Sequence, residues 1–355
     1  MEDSEDDDSP RTEARLIVPV SRQKMAGNRW LELVYGEEQE ADLGFMARLL
    51  VQATLPHSDP GPVVGWGRRN GTLTMHMQPG TEMRTDGQFQ SIGLPYGSIP
   101  RLLMAWITTD AVRTKERDLV LGESLSEFMR KLGLVPTGGR WGSITRLREQ
   151  MRRLFAATVA VHCEQGNAVA DGRFVIADKT VTFWDPKAPD QAALWKSTVT
   201  LSEGFFNEIV SRPVPLDLTV LKALTRSPLS IDIYIWLTYR VSYLKRATTV
   251  PWAALEMQFG ADYKRTVDFR ANFIKALRKV LVVYRAPVAT TPEGLLMVSL
   301  GRAEVREGIQ VQGRVRLRWW RDSYAAAKAR VNSSQARTRR GAWGMRGSPT
   351  GAAIS

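Results

Sequence analysis

The residues of this chain best placed to do chemistry are arginines and lysines spaced along helix faces, and the chemistry is recognition of phosphates and base edges. One set is Arg140, Ser143, Thr145, Arg146, Arg148, Arg152 and Arg153. A second is Lys264, Arg265, Thr266, Arg270, Asn272, Lys275, Arg278 and Lys279. A third, Arg314, Arg316, Arg318 and Arg321, lies near the C-terminus. Guanidinium groups offer paired donors that fit phosphate oxygens and the guanine edge, and amides and hydroxyls add shorter contacts. Residues for catalysis are scarce. No GxxxxGK[ST] phosphate loop occurs, which disfavours ATP hydrolysis. A rolling-circle nuclease would need a metal-binding His-x-His pair, and His57 and His76 stand nineteen positions apart. His162-Cys163 has no metal-ligand spacing around it. A binding protein without cofactor is expected, not an enzyme.

The elements that must position these residues can be read from apolar spacing. A helix over Ile99 to Arg113 puts Leu102, Leu103, Trp106, Ile107 and Val112 on roughly one face. A short helix follows over Ser124 to Leu132, with Ser124 as N-cap and Glu127 completing a capping box. Thr137-Gly138-Gly139 turns the chain. A third helix, about Ser143 to Thr158, buries Ile144, Leu147, Met151, Leu154 and Phe155. At about 100° per residue, Arg146, Glu149, Gln150 and Arg153 point away from Ile144, while Arg148 and Arg152 flank the apolar stripe. A short helix, a tight turn and a longer basic helix is a helix-turn-helix arrangement, with glycines that let backbone N–H groups approach a phosphate.

The stretches LPYGSIPRLLMAWI, LGESLSEFMRKLGL, TGGRWGSITRLREQMRRLF, LSEGFFNEI and PLDLTVLKAL resemble the plasmid-encoded RepA-type replication initiators of bacteria. The resemblance covers about Leu43 to Leu300; the acidic head and the basic tail lie outside it. It implies two tandem winged-helix domains that bind repeated sequences (iterons) in double-stranded plasmid-origin DNA. It also implies recruitment of the host replication initiator and replicative helicase, and repression of the protein's own promoter by a homodimer. A winged-helix transcription regulator with no replication role is the nearest rival, and a nicking or priming enzyme a more distant one.

The expected fold is therefore α+β, with β-hairpin wings. Residues 1–28 form an acidic, disordered head in which Glu2, Asp3, Glu5, Asp6, Asp7 and Asp8 repel one another. Residues 29–202 are a first winged-helix domain with an N-terminal extension, including a helix from Leu43 to Pro56 and a strand over Gly71 to Met77. Its wing is a hairpin of Gly172–Ile176 with Thr180–Trp184, and Trp195 to Leu201 is a further strand. Residues 203–310 are a second unit that repeats the first about 130 positions on. There Ser230–Leu244, Pro251–Phe259 and Thr266–Val282 are the three helices, Trp236 stands where Trp106 stood, and Gly260 where Gly133 stood. Leu295 to Leu300 contributes to a second wing. Residues 311–355 are a basic, partly disordered tail in which Trp319, Trp320 and Trp343 are interspersed among arginines.

Composition agrees. The 355 residues carry a net charge of +12, which points to a polyanionic partner, and are 43% hydrophobic, ample for globular cores. The lone Cys163 leaves no internal disulfide and fits a reducing cytoplasm. No run of 18 apolar residues spans a membrane, and the acidic start is unlike a signal peptide.

The tail is expected to add affinity without specificity. Cutting after Ser333 removes Arg337, Arg339, Arg340 and Arg346. A salt titration of full-length and shortened protein should then show the slope of log affinity against log salt flatten by about 3 to 4, at roughly 0.9 per phosphate contact. An unchanged slope would show that these arginines do not touch phosphate.

Overall fold

A computed structural model describes residues 15–21, 34, 42–165, 168–194, 196–260, 263, 265–284 and 286–297, which fall within one compact unit, 1–311. The acidic residues Glu2 to Asp8, Trp195, Lys264, positions 298–300 and the whole tail, with Arg314, Arg316, Arg318 and Arg321, lie outside the described residues. In chain order the elements are β1 (Arg15–Leu16), β2 (Leu43–Met46), α1 (Arg48–Gln52), β3 (Trp66–Asn70), β4 (Leu73–Gln78), β5 (Thr81–Met83), β6 (Phe89–Ser91) and α2 (Ser98–Thr114). Next come β7 (Asp118–Gly122), α3 (Leu125–Lys131), α4 (Ser143–Ala156), β8 (Thr158–Gln165), β9 (Ala168–Val175), β10 (Ala177–Val181) and β11 (Ser197–Leu201). The last third holds α5 (Glu203–Ser211), β12 (Val214–Asp217), α6 (Leu218–Ala223), α7 (Pro228–Tyr243), β13 (Thr248–Pro251), α8 (Trp252–Phe259), α9 (Thr266–Val283), β14 (Val288–Thr290) and β15 (Gly294–Met297). The fold is mixed α+β.

Two helical units share one plan. In each, a long helix is followed by a strand, two further helices and two strands that join the first strand in an antiparallel sheet. The first unit runs α2, β7, α3, α4, β10, β11, with sheet order β10-β11-β7, and β8 and β9 are inserted between α4 and β10 as part of another sheet. The second runs α7, β13, α8, α9, β14, β15, and β1 extends its sheet to β1-β14-β15-β13. The matched tryptophans do the same work in both. Trp106 meets Phe128 of α3 edge-on at 5.0 Å, and Trp236 meets Phe259 of α8 edge-on at 5.5 Å. The matched glycines do not. Gly133 takes a left-handed φ of 76°, whereas Gly260 has an ordinary φ and is small because a side chain would strike the Glu256 carbonyl.

Helix starts follow their capping residues. Ser124 accepts the Glu127 N–H at 3.1 Å, and the Glu127 carboxylate reaches back to the Glu123 N–H at 2.8 Å. Ser202, Asp217 and Ser227 cap α5, α6 and α7 in the same way.

Two expectations are corrected. The apolar run from Leu43 is not one helix, because its first residues form the buried strand β2, paired with β12 from Val214↔Met46 to Asp217↔Leu43. Gly44 permits this: a side chain there would overlap Leu218. Val214–Asp217, which follows α5, supplies that partner strand. The hairpin of Gly172–Ile176 with Thr180–Trp184 does not form either. The eight-residue β8 takes β9 as its partner along its whole length, from Thr158↔Val175 to Gln165↔Ala168, within a sheet ordered β3-β4-β8-β9. The chain then crosses at buried Ile176 into the other sheet, where β10 pairs with β11.

The two long helices are buried nearly all round and meet through an ion pair. Arg101 of α2, 2% exposed, donates from Nε and one terminal nitrogen to both carboxylate oxygens of Asp232 in α7, each at 2.7 Å. Its remaining donors reach the carbonyls of Gly97 at 2.6 Å, Leu55 at 2.7 Å and Pro56 at 3.2 Å. His57 Nε2 lies 2.9 Å from Asp232 Oδ2. Burial, the largest single influence, would raise the Asp232 pKa; the Arg101 charge and the hydrogen bonds from His57 and Arg101 together outweigh it and hold the carboxyl below the usual carboxylate range. Burial lowers the His57 pKa, against the pull of Asp232.

Asp232→Ala should cost about 3–5 kcal/mol in urea unfolding, since it leaves a guanidinium buried and unpaired. Because the folded pKa of Asp232 lies below the unfolded one, its contribution is present above about pH 4 and lost as pH falls through the folded value. The variant's stability should therefore fall less steeply in acid than the wild type's. A cost under about 1 kcal/mol would show that the pair does not hold the helices together.

Candidate nucleic-acid interface

The turn before α4 is built from side chains that lock onto its backbone. Ser143 Oγ accepts the Thr137 N–H at 2.9 Å and donates to the Val135 carbonyl at 2.6 Å. Thr137 Oγ1 in return accepts the Ser143 N–H at 2.9 Å. Thr145 donates to the Gly139 carbonyl at 2.9 Å. Gly139 has a φ of 86°, and a side chain on Gly142 would strike the Thr137 and Gly138 carbonyls. The loop is thus a rigid platform. It presents Arg140, whose guanidinium lies 5.0 Å from the Trp141 ring centre, and Trp141 itself, 80% exposed.

Along α4 the exposed face carries Thr145, Arg146, Arg148 and Arg152. Arg146 and Arg148 make no ion pair among the described residues. Arg152 is paired with Glu82 of β5, so the β5–β6 hairpin is tied to the helix. Two residues expected to point outward do not. Gln150 is buried and accepts the Tyr96 N–H at 2.8 Å. Arg153 is largely covered: it bonds Glu149 at 2.8 Å, Asp59 at 3.3 Å and the Leu94 carbonyl at 3.3 Å, and lies over the Tyr96 ring. Ser143 is also buried and committed to the turn. No periodicity could reveal these partners, because Asp59, Leu94 and Tyr96 come from the segment before α2.

On α9 the apolar face is as expected, with Phe273, Leu277, Val280 and Leu281 buried. Arg265, Thr266, Asn272, Lys275 and Arg278 are exposed, and Lys279 is half-buried. Arg265 forms a paired contact with Asp268 at 2.8 and 2.9 Å, Thr266 donates to Glu256 at 2.7 Å, and Asn272 donates to the Asp268 carbonyl at 3.0 Å. Lys275, Arg278 and Lys279 make no ion pair among the described residues. Arg270, which a helical wheel sets on the apolar side, is explained by its contacts. Its guanidinium lies 4.8 Å from the Trp252 ring centre and reaches the Thr291 carbonyl at 3.4 Å, linking α9 to the β14–β15 turn.

The histidines make no ligand set. His162 sits exposed between Asp171 at 2.6 Å and Glu164 at 3.0 Å, and hydrogen bonds to Glu164 and Asp171 raise its pKa. No group of His, Cys, Asp or Glu among the described residues is arranged to hold a metal ion. No described helix is long and apolar enough to cross a membrane.

Residues 94–253 match the family described as "Plasmid encoded RepA protein". Among solved structures, the crystal structure of selenomethionine derivatives of domains 2 and 3 of RctB is similar, with a TM-score of 0.44 and 12% identity over 63% of this chain and 80% of that one. No curated protein matches the chain.

The turn residue and the exposed arginines should separate in stability measurements. Ser143→Ala is expected to cost about 1–3 kcal/mol, because it strands the Thr137 N–H and the Val135 carbonyl. Arg146→Ala with Arg148→Ala should stay within about 0.5 kcal/mol of wild type. Denaturant titrations decide this, and equal losses would show that the exposed pair supports the fold.

Proposed function

We propose that this chain, whose residues 94–253 match the plasmid-encoded RepA family, is a plasmid replication initiator that binds repeated sequences at its origin. The observation that carries this is the duplicated unit with an exposed basic face on its last long helix, α4 in one copy and α9 in the other. We read both units as winged helices. The segment joining β10 to β11 is the first wing and the Thr291–Glu293 turn the second. Each long basic helix enters a major groove, with base edges met near its start and phosphates along its flanks. Residues 29–202 and 203–310 serve as the two DNA-reading domains, and 311–355 as an added electrostatic contact.

Several copies on an array of repeats would bend the origin and favour opening of an adjacent A·T-rich tract, where deformation costs least. Recruitment of the host initiator and replicative helicase, and repression of the protein's own promoter by a homodimer, complete the proposal. The chain acts as a cytoplasmic binding protein and not as an enzyme.

The second unit allows a direct test. Asn272 offers an amide suited to an adenine edge, and Lys275 is a point charge suited to phosphate. On a duplex carrying a direct repeat taken from the DNA beside the gene, Asn272→Ala should cost about 1–3 kcal/mol, and much less on shuffled DNA. Lys275→Ala should weaken both by similar factors. Anisotropy titrations at fixed salt measure all four values. Similar losses for Asn272→Ala on both duplexes would remove α9 from sequence reading.

A further inference from the structure

The platform before α4 has a feature that groove binding does not use. Trp141 is 80% exposed, the most exposed aromatic side chain among the described residues. A large apolar ring in water is costly unless it meets a partner, at about 25 cal/mol for each Å². It is also not on a floppy tip. Thr137 and Ser143 lock the loop from both sides, and the tight packing of Gly142 fixes the backbone beside the indole. The Arg140 guanidinium lies 5.0 Å from the ring centre, so one partner over the indole is a cation and the rest of the ring faces solvent. A fixed indole backed by a cation, next to the exposed Arg146 and Arg148, suits a flat, electron-rich ring carried on a phosphate chain.

We infer that Trp141 stacks on an unpaired base of single-stranded DNA, with Arg140 beside it, so that the turn before α4 holds a strand exposed when duplex opens. A paired base in a duplex presents only its edge to a groove, whereas an unpaired base offers a ring face. The inference rests on the DNA-binding reading above and adds a second substrate, single-stranded DNA, to the same platform.

The test uses the full chain with two labelled probes, a twelve-nucleotide oligothymidine and the repeat-bearing duplex. Trp141→Ala is expected to weaken oligothymidine binding about tenfold and to leave duplex binding within about twofold. Trp141→Phe should recover most of the loss, since it restores an aromatic face. The exposed position predicts an unchanged melting temperature, and if Trp141→Ala melts early it is replaced by Trp141→Leu, which keeps bulk but has no ring face, for the comparison of probes. Equal weakening on both probes, or wild-type affinity of Trp141→Ala for oligothymidine, overturns the inference while leaving duplex recognition standing. A wild-type chain that binds neither probe overturns both readings.

Discussion

Placement of both basic helices depends on the buried contact between Arg101 and Asp232. A guanidinium and a carboxylate removed from water are stable together only when geometry is good and every remaining donor is satisfied. Both conditions are met, because the Arg101 donors not used by Asp232 are taken by the carbonyls of Gly97, Leu55 and Pro56. The pair therefore fixes three things at once: α2, α7, and the segment 55–57 that crosses them. Helix α4 packs on α2 and α9 packs on α7, so this contact joins the two helices that support the basic faces. Hydrophobic packing alone is less directional, and two nearly all-buried helices could slide past one another by a turn at modest cost. A bidentate ion pair cannot slide.

That geometry also explains which parts of the fold were legible in sequence. Helices with one wet face, α3, α4 and α9, show their spacing plainly; the Ser124 cap of α3 and the apolar core residues of α4 and α9 fall as read. The buried faces of Ile144, Leu147 and Met151, and of Phe273, Leu277 and Val280, are examples. The strand β2 was not legible, since a short apolar run suits a buried strand as well as a helix and only its partner β12, about 170 positions away, decides. The β8–β9 pairing was lost for a related reason. Two adjacent strand-like segments looked like a hairpin, but β9 gains a longer ladder from the strand before it.

The candidate site was legible at the level of faces and not of individual side chains. Arg146 and Arg148 are exposed as the wheel places them. Gln150 and Arg153 lie on the same nominal face, yet the segment holding Asp59, Leu94 and Tyr96 folds over them. A helical wheel describes one helix and carries no information about what covers its far side. Trp141 is not legible as a site, because an isolated aromatic in a glycine-rich turn belongs to no periodic pattern. Its exposure becomes meaningful only with the locked backbone around it.

The arginines of the two basic helices differ in what they would give up on meeting phosphate. Arg265 is engaged by Asp268 at the protein surface, where such a pair is worth about 0–1 kcal/mol. Exchanging that carboxylate for a phosphate costs little, so Arg265 remains available at the start of α9. Arg152 is in a similar position, half exposed and paired with Glu82, and its release would also free the β5–β6 hairpin. Arg153 is different. Its guanidinium is mostly covered and is bonded to a backbone carbonyl as well as to carboxylates, so withdrawing it would leave the Leu94 carbonyl without that donor. The basic composition thus overstates the number of cations on α4 that make no ion pair among the described residues: these are Arg146 and Arg148 in its N-terminal half, with Arg140 in the rigid turn before it.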